Sequence, residues 1–244
     1  MDVAVKGMFW LLEEFRVNPV AKQFVLISGD CSVGHIMQRY GEPVTELSPH
    51  RPYPGCYALS KVLEETMLEQ YYIQYGTNGC CLRASWIMEK DDFKFALKFG
   101  PDQFGGPRWT DVISAEEELQ YARAEAVPLM LDYEGNPLLR GFVHVSDLVP
   151  AILAAIDNPA AQQELFNVVM NKPVDYREVA QRLEETRGMK AVPIATPYYS
   201  NWLDNAKARM RLGWEPKYDL ERLIDEAFSY SRSSDDPRTV AYPG

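Results

Sequence analysis

Apolar residues occur along this chain both as short continuous runs and at helical spacing, and this alternation predicts strands joined by helices. Residues 24–27 and 79–88 are apolar runs of strand length, and residues 57–75 between them carry apolar side chains at helical spacing. A loop of small residues, 28–34, follows the first run. The order strand, loop, helix, strand predicts a βαβ unit, whose chemistry collects at the carboxyl ends of its strands.

The second half of the chain predicts further helices and turns. The predicted helices cover residues 114–126, 145–155, 175–187 and 220–230, with Ser146 or Asp147 as N-cap of the second. Residues 132–137 form a turn between two short strands. Residues 93–107 combine aromatics, glycines and prolines as a pocket-lining loop does. The residues after Ser231 are predicted to be disordered or to form a partner-binding arm.

The helix that begins near residue 57 places a phenol and an ammonium group one turn apart. Tyr57 and Lys61 are separated by four residues, so they share a helix face. A neighbouring positive charge lowers the pKa of an acid. The pair therefore predicts a tyrosine that can exchange a proton with a substrate hydroxyl. The same spacing is common on solvated helix faces, and its position inside the βαβ unit gives it meaning.

Several segments, in order, resemble the extended short-chain dehydrogenase/reductase family, the NAD-dependent epimerases and dehydratases. They are residues 24–34, the pair Tyr57 and Lys61, and residues 82–83, 140–148, 166–168 and 204–216. The resemblance implies an α/β fold, with a partial Rossmann-type parallel sheet and a smaller α/β substrate-binding region. Residues 1–90 would form the catalytic half of the nucleotide-binding domain. Residues 91–244 would be mainly the substrate-binding region, with 140–170 returning to the sheet.

The resemblance also implies roles for single residues. Tyr57 is the expected general acid/base, and Lys61 is expected to lower its pKa and to anchor the nicotinamide ribose of NAD or NADP. Tyr57 and Ala84 are expected to contact the same cofactor. Trp86 and Arg140 are expected to contact a small-molecule substrate, with Arg140 suited to a phosphate group.

This chain departs from the family pattern at several positions, and these departures limit which parts of the family's chemistry can be expected in it. The family's catalytic Ser or Thr falls on Gly29, which has no hydroxyl, so Ser28 or Asp30 is expected to orient the substrate instead. Asp30 could equally be a turn-forming residue. Trp86 stands where the family has an Asn that contacts a sugar diphosphate. A second phosphate-binding arginine is absent from residues 192–197. These departures weaken the expectation of a nucleotide-sugar substrate. A smaller polyhydroxy or carbonyl substrate is the alternative.

The glycine-rich turn that binds the cofactor pyrophosphate in this family does not occur in the sequence. Residues 1–15 resemble the helix that follows the fourth strand of the family, and no GxxGxxG is present. We therefore expect either a truncated chain or a natural short form. The sheet would have an open edge, which predicts a homo-oligomer or a second chain that covers it.

Composition and charge narrow the classes of partner. A formal charge of −10 argues against nucleic acid, because phosphate backbones need basic surfaces. No apolar run approaches a membrane span and no signal peptide pattern begins the chain, so we expect a cytoplasmic protein. Neither the cysteines nor the three histidines have metal-ligand spacing, and we expect no metal. Within its apolar run, His144 is expected to be a core residue.

Three functions remain open from sequence. The first is NAD(P)-dependent redox, epimerase or dehydratase chemistry at a sugar-like, possibly nucleotide-sugar, hydroxyl or carbonyl. The second is a non-catalytic relative that acts as scaffold or partner subunit, which Gly29 and Trp86 favour. The third is a reductase of a non-sugar carbonyl. The reductase function is supported by aromatic residues near the presumed pocket, which are Trp86, Phe93, Phe95 and Trp109.

Overall fold

The computed structural model describes residues 1–238, which alternate between strands and helices. The helices are α1 (Gly7–Val17), α2 (Cys56–Tyr75), α3 (Asp92–Ala96), α4 (Ala115–Arg123), α5 (Val145–Ala155), α6 (Tyr176–Arg187), α7 (Ala206–Leu212) and α8 (Leu220–Ser229). The strands are β1 (Phe24–Gly29), β2 (Gly79–Ala84), β3 (Trp86–Met88), β4 (Val127–Leu131), β5 (Leu139–Arg140), β6 (Phe142–His144), β7 (Glu164–Val168), β8 (Val174–Asp175) and β9 (Ala191–Ala195). A π-helical turn, Asp2–Lys6, precedes α1, and short 3₁₀ helices lie at Asp30–Val33 and His35–Met37.

A three-stranded parallel sheet in the order β1, β2, β7 holds the elements that the βαβ pattern predicts. All six residues of β2 are buried, as expected for a central strand with both faces covered. Cys80 packs in one apolar cluster and Cys81 in another, so the vicinal pair points to opposite faces as strand alternation requires. The predicted α/β fold with a parallel sheet is confirmed.

The apolar run 79–88 is two strands, whereas the sequence pattern predicts one. The backbone N–H of Ser85 donates to the carbonyl of Val168 at 3.1 Å, and the chain then leaves the sheet. The next residues form β3, which pairs in parallel with β6 in a separate two-stranded sheet. Gly141 precedes β6, and a Cβ there would lie 3.2 Å from Val169, so the two sheets approach each other closely at this point. An unbroken apolar run carries no signal for this change of partner.

The largest apolar cluster lies in the second half of the chain. Phe93 and Trp109 are 0% and 2% exposed in it, so the prediction that residues 93–107 line a pocket is wrong for Phe93, and Trp109 is core as well. Gly105 in the same segment has φ +70°, and a Cβ there would lie 2.2 Å from the Trp86 ring. The segment therefore covers Trp86 directly.

Helix α5 begins at Val145, before both of the predicted N-cap residues. His144 is its N-cap, with Nδ1 accepting a hydrogen bond from the N–H of Ser146 at 3.2 Å. Asp147 instead accepts from the backbone N–H groups of Lys217 and Tyr218 at 3.0 and 2.9 Å. The prediction of Ser146 or Asp147 as N-cap is therefore wrong. His144 is buried and stacks on Tyr218, which agrees with its interpretation as a core residue.

Residues 231–238 pack against the start of α3, so the prediction of disorder is wrong for this part of the tail, and the alternative of a partner-binding arm stays a prediction. Arg232 and Arg238 both contact the carboxylate of Asp91, at 2.6 and 2.8 Å. Lys90 pairs with Asp236 at 3.0 Å. The remaining residues of the predicted arm, 239–244, lie outside the described part of the chain.

Strand β1 pairs with β2 alone within residues 1–238, and the covering of its other edge stays a prediction. Helix α1 exposes Trp10 and Leu11, each 61% accessible. In the described part of the chain, no helix combines the length and the apolar composition needed to cross a membrane. Over the same residues, no group of three His, Cys, Asp or Glu side chains could hold a metal ion. The division of the chain near residue 90 also stays a prediction.

Candidate functional site

The carboxyl end of β1 and the first turn of α2 form the candidate site. Gly55 precedes α2 with φ +138°, a conformation that favours glycine, and the helix begins one residue before Tyr57. Tyr57 is 38% exposed, and within residues 1–238 its hydroxyl makes no hydrogen bond. The Lys61 Nζ lies 6.0 Å from the centroid of the Tyr57 ring. The predicted pair is thus assembled, with a phenol that is free to contact a ligand.

Lys61 is tied to both the sheet and its own helix. Its Nζ donates to the carbonyl of Ile27 at 3.3 Å and to Glu64 Oε2 at 2.9 Å. Burial acts to lower the pKa of Lys61, but the hydrogen bond and charge of Glu64 outweigh it, so the pKa is raised. An ammonium group has three N–H donors, and one remains unused here.

The pKa of Tyr57 is raised, which is opposite to the expectation from the Tyr-Lys pair. Burial is the main cause, and the neighbouring Cys31 adds to it. The charge of Lys61 does act to lower the pKa of Tyr57, but it is the smaller effect and is shared with Glu64. In the chain without a ligand, Tyr57 is therefore a protonated phenol that can donate.

Ser28 contributes to a buried network that we call the Glu65 cluster: Ser28, Ser32, His50, Glu65 and Arg83. The Ser28 hydroxyl donates to Glu65 Oε1 at 2.5 Å, and Ser32 donates to the same oxygen at 2.9 Å. Arg83 and His50 contact Oε2 at 2.6 and 2.8 Å. The one hydroxyl proton of Ser28 is used inside this cluster, and the role of Ser28 in orienting a substrate stays a prediction.

Glu65 is an anchored carboxylate. Burial acts to raise its pKa, but the hydrogen bonds from His50 and Arg83 outweigh burial and lower the pKa of Glu65 to about 2. Arg83 is 1% exposed and Glu65 is 6% exposed. A buried pair of this kind holds α2 against β2.

Asp30 belongs to a different group, which we call the Asp30 row: Asp30, His35 and Arg140. Asp30 Oδ2 lies 2.6 Å from His35 Nδ1, and His35 Nε2 lies 2.5 Å from an Nη of Arg140. The Arg140 guanidinium lies 3.9 Å from the centroid of the Trp86 ring, and Phe104 stacks on the same ring. The structure thus brings Asp30, Arg140 and Trp86 together through His35.

Ala84 ends β2 and lies between Gly29 of β1 and Val168 of β7 in the sheet register. It is 3% exposed. Ala84, Lys61 with its unused donor and Tyr57 with its free hydroxyl are the three residues expected to contact the cofactor. The cofactor roles of these three residues stay predictions.

Sequence reasoning missed His35, Tyr53 and Cys31. Burial raises the pKa of Tyr53, and the charges of Cys31, Tyr57, Asp30 and Arg140 also act on it, which places Tyr53 among these groups. Burial likewise raises the pKa of the Cys31 thiol to about 12, so Cys31 is a protonated neighbour of Tyr57 and no nucleophile. Only the position of Cys31 in the loop after β1 could have indicated it.

Curated proteins that are similar to this chain in sequence include two from plants. A probable GDP-L-fucose synthase 1 of Oryza sativa subsp. japonica is 25% identical over 202 residues, 78% of this chain and 57% of that protein. A UDP-D-apiose/UDP-D-xylose synthase 2 of Arabidopsis thaliana is 26% identical over 199 residues, 73% of this chain and 49% of that protein. The chain thus spans about half the length of these curated relatives.

Solved structures agree in fold. A short-chain dehydrogenase/reductase superfamily protein of Agrobacterium tumefaciens with bound NAD superposes with a TM-score of 0.75 at 21% identity, covering 92% of this chain and 71% of that one. A UDP-glucose 4-epimerase of Thermotoga maritima, solved with UDP-glucose, gives 0.66 at 23% identity, covering 93% and 69%.

The family model described as the NAD dependent epimerase/dehydratase family matches residues 1–169. The matched range includes α2, which carries Tyr57 and Lys61, and the 3₁₀ helix that begins at Asp30 after β1. It covers well over half of the 244 residues, and the ordered motifs and the parallel sheet agree with it. The chain belongs to the NAD dependent epimerase/dehydratase family.

Proposed function

We propose that this chain carries out proton transfer in an NAD(P)-dependent oxidation or reduction at a sugar-like hydroxyl or carbonyl. The observation that carries the proposal is the free Tyr57 hydroxyl beside Lys61 at the carboxyl end of β1. Membership of an NAD dependent family supports it. The names of the curated relatives, which are nucleotide-sugar synthases, support a sugar as substrate.

In this proposal the residues of the chain hold the substrate and move one proton. Lys61 would use its unused donor on the nicotinamide ribose, and Ala84 would leave space beside the ring. The chemistry that the bound cofactor supplies is hydride transfer with the carbon that bears the reacting oxygen. Tyr57 Oη would give its proton to a carbonyl oxygen during reduction and would take the hydroxyl proton during oxidation.

The raised pKa of Tyr57 makes the two directions unequal. As a phenol, Tyr57 is ready to donate, so the reduction direction needs no further change at this residue. A base role at neutral pH requires added positive charge near the phenol, because Lys61 alone does not offset burial. We therefore expect oxidation to speed up with rising pH.

Arg140 bears on the choice between a nucleotide sugar and a free sugar. It is 4% exposed, stacked on Trp86 and engaged by His35. A diphosphate could reach its guanidinium only if these contacts opened. UDP-glucose and D-glucose are therefore the two substrate probes that we would compare.

Calorimetric titration of the 244-residue chain with NAD⁺ and NADP⁺ tests the proposal. We expect micromolar binding of one cofactor and weakening by about tenfold in Lys61→Met, because one charge-assisted hydrogen bond is lost. Lys22→Met changes an exposed lysine and should bind as the wild type does. Absence of binding of either cofactor up to millimolar concentration would overturn the proposal and leave the scaffold interpretation.

Turnover is measured next as formation of NADH or NADPH with UDP-glucose and with D-glucose. Tyr57→Phe should lower kcat by at least about 100-fold, because general acid–base catalysis contributes about that much, while the affinity for the cofactor should fall by less than about tenfold. Retained turnover in Tyr57→Phe would show that another residue moves the proton.

A further inference from the structure

His35 joins two charged residues that are far apart in the sequence. Asp30 Oδ2 contacts its Nδ1 at 2.6 Å, and Arg140 contacts its Nε2 at 2.5 Å. His35 itself has φ +47°, and its carbonyl accepts from the Asn201 side chain at 2.6 Å. Contacts from several elements hold the backbone of His35 in the left-handed region, so its ring is fixed in one position.

The chemistry of these partners fixes the protonation of the ring. A guanidinium has only N–H donors, so Nε2 of His35 must accept and cannot carry a proton. The proton of the neutral ring is then on Nδ1, where it donates to Asp30. Burial lowers the pKa of His35, the charge of Asp30 acts to raise it and that of Arg140 to lower it, and the net direction is downward. His35 is therefore neutral at physiological pH.

The second oxygen of Asp30 is available to a ligand. Within residues 1–238, Oδ1 of Asp30 makes no hydrogen bond, and the side chain is 16% exposed. The turn Asp30–Val33 packs against α2, the helix that carries Tyr57, and the charge of Asp30 also acts to raise the pKa of Tyr57. The turn that begins at Asp30 directly follows the last residue of β1.

A carboxylate accepts hydrogen bonds and donates none, which decides what it can bind. The hydroxyl that reacts has one proton, and in the proposed function that proton goes to Tyr57. A hydrogen bond to Asp30 must therefore come from another hydroxyl. Asp30 directly follows β1, and Lys61, one turn along α2 from Tyr57, donates to the Ile27 carbonyl of the same strand. The nearest second donor that a substrate can offer there is the hydroxyl on the carbon adjacent to the reacting one.

On the basis of the proposed function, we propose that Asp30 Oδ1 binds the second hydroxyl of a vicinal diol, and that His35 is the positioning residue that holds the carboxylate for it. The substrate class is then a polyol with neighbouring hydroxyls. A simple secondary alcohol is excluded from efficient turnover, because it leaves Asp30 without a donor.

Nuclear magnetic resonance of the ligand-free chain tests the role of His35 without any turnover. The chain has three histidines, so ¹⁵N-labelled rings can be assigned with His50→Gln and His144→Gln. We expect His35 to be neutral and protonated on Nδ1 at pH 7, and its Nδ1–H resonance to shift in Asp30→Ala. A ring protonated on Nε2, or an imidazolium at pH 7, would overturn the proposal.

Two small probes, cis-1,2-cyclohexanediol and cyclohexanol, test the role of Asp30 because they differ by one hydroxyl. With the cofactor that binds, we expect kcat/KM to be about 10- to 100-fold higher for the diol, as one hydrogen bond to a charged group provides. The preference should fall below about threefold in Asp30→Ala, whereas Asp102→Asn, an exposed change, should keep both the preference and the rate with cyclohexanol. Equal rates in the wild type, or an unchanged preference in Asp30→Ala, would overturn the proposal.

Variants of His35 separate positioning from stability. His35→Asn keeps an N–H donor at the place of Nδ1 and tolerates a positive φ, so the diol preference should be retained within about threefold. His35→Gln extends toward Arg140 and leaves Asp30 without that donor, so the preference should drop, mainly through a higher KM for the diol. Asp102→Asn, an exposed residue far along the chain, is the control. Equal diol preferences in the Asn and Gln variants would contradict the role of His35.

Failure of the proposed function is distinguishable from failure of this inference. If neither alcohol is oxidised with either cofactor, the proposed function fails, and titration of the labelled chain decides the inference. A shift of the His35 Nδ1–H resonance with the diol and none with cyclohexanol would support it. No shift with either probe, at concentrations up to about 100 mM, would overturn it, since one charge-assisted hydrogen bond gives only weak binding.

Discussion

Tyr57 and Glu65, two of the polar residues on one face of α2, differ in how fully their hydrogen bonds are satisfied. Tyr57, Lys61 and Glu65 follow at intervals of four residues, so they lie along one stripe of the helix. Glu65, at the third position, accepts hydrogen bonds from four different side chains. Tyr57, at the first, has a hydroxyl with no partner in residues 1–238.

The contrast separates a structural cluster from a site for a ligand. Buried polar groups in proteins are normally satisfied, and the Glu65 carboxylate meets that rule through Ser28, Ser32, His50 and Arg83, although Nη1 of Arg83 itself has no partner in residues 1–238. The free atoms, Tyr57 Oη and Asp30 Oδ1, are on groups that are partly exposed. Satisfied groups stabilise the fold, whereas unsatisfied and accessible ones are available for binding.

Arg83→Met should have the largest effect. The substitution leaves the Glu65 carboxylate buried without its cationic partner, and breaking a buried pair in this way costs about 3–5 kcal/mol. Urea unfolding followed by circular dichroism measures the loss. Glu69→Gln, an exposed change one turn further along α2, should alter the free energy of unfolding by less than about 0.5 kcal/mol. A loss under about 1 kcal/mol in Arg83→Met would show that the cluster is not an anchor.

Acid should remove the stabilisation that Glu65 provides. Its pKa is lowered from 4.5 to about 2 in the folded chain, so its contribution is present above pH 4.5 and is lost as pH falls toward 2. The difference in unfolding free energy between the wild type and Glu65→Gln should shrink by about 3 kcal/mol from about pH 5 to about pH 2. Parallel pH profiles of the two proteins would contradict this.

Asp91→Asn should have an intermediate effect, by weakening the contact of residues 231–238 with α3. Asp91 is buried and accepts from both Arg232 and Arg238. Removing a charged partner from such bonds costs about 1–3 kcal/mol. Asp102→Asn breaks an exposed pair with Lys98 and should cost under about 0.5 kcal/mol in the same thermal or urea experiment. Equal losses in the two variants would mean that residues 231–238 add no stability.

Tyr57→Phe should have the smallest effect on stability. The Tyr57 hydroxyl makes no hydrogen bond within residues 1–238, so its removal should change the free energy of unfolding by under about 0.5 kcal/mol. The same variant is expected to lose turnover, which separates the site from the Glu65 cluster. A loss of stability above about 1 kcal/mol would indicate that the hydroxyl has a structural role.

Local patterns predicted the elements that carry the site. Strand β1, helix α2 and strand β2 were all expected from apolar runs and helical spacing, and the pair Tyr57 and Lys61 followed from a separation of four residues. Family resemblance added NAD or NADP and the candidates Ala84, Trp86 and Arg140, whose roles stay predictions.

Contacts between distant residues could not be predicted in this way. His35 and Arg140 are 105 positions apart, and their contact depends on where the loop after β1 meets β5. The change of sheet at Ser85 has the same origin, since β3 pairs with a strand more than 50 residues later. Residues 231–238 look polar and unstructured in sequence, yet they are ordered by the carboxylate of Asp91.

The spacing of Tyr57, Lys61 and Glu65 along α2 also limits insertions and deletions within this helix. Each residue turns an α-helix by about 100°, so one residue inserted between Lys61 and Glu65 would rotate Glu65 away from Arg83 or Tyr57 away from the end of β1. Either the anchor or the acid/base would be lost. Relatives with a working site should therefore keep seven positions between the equivalents of Tyr57 and Glu65.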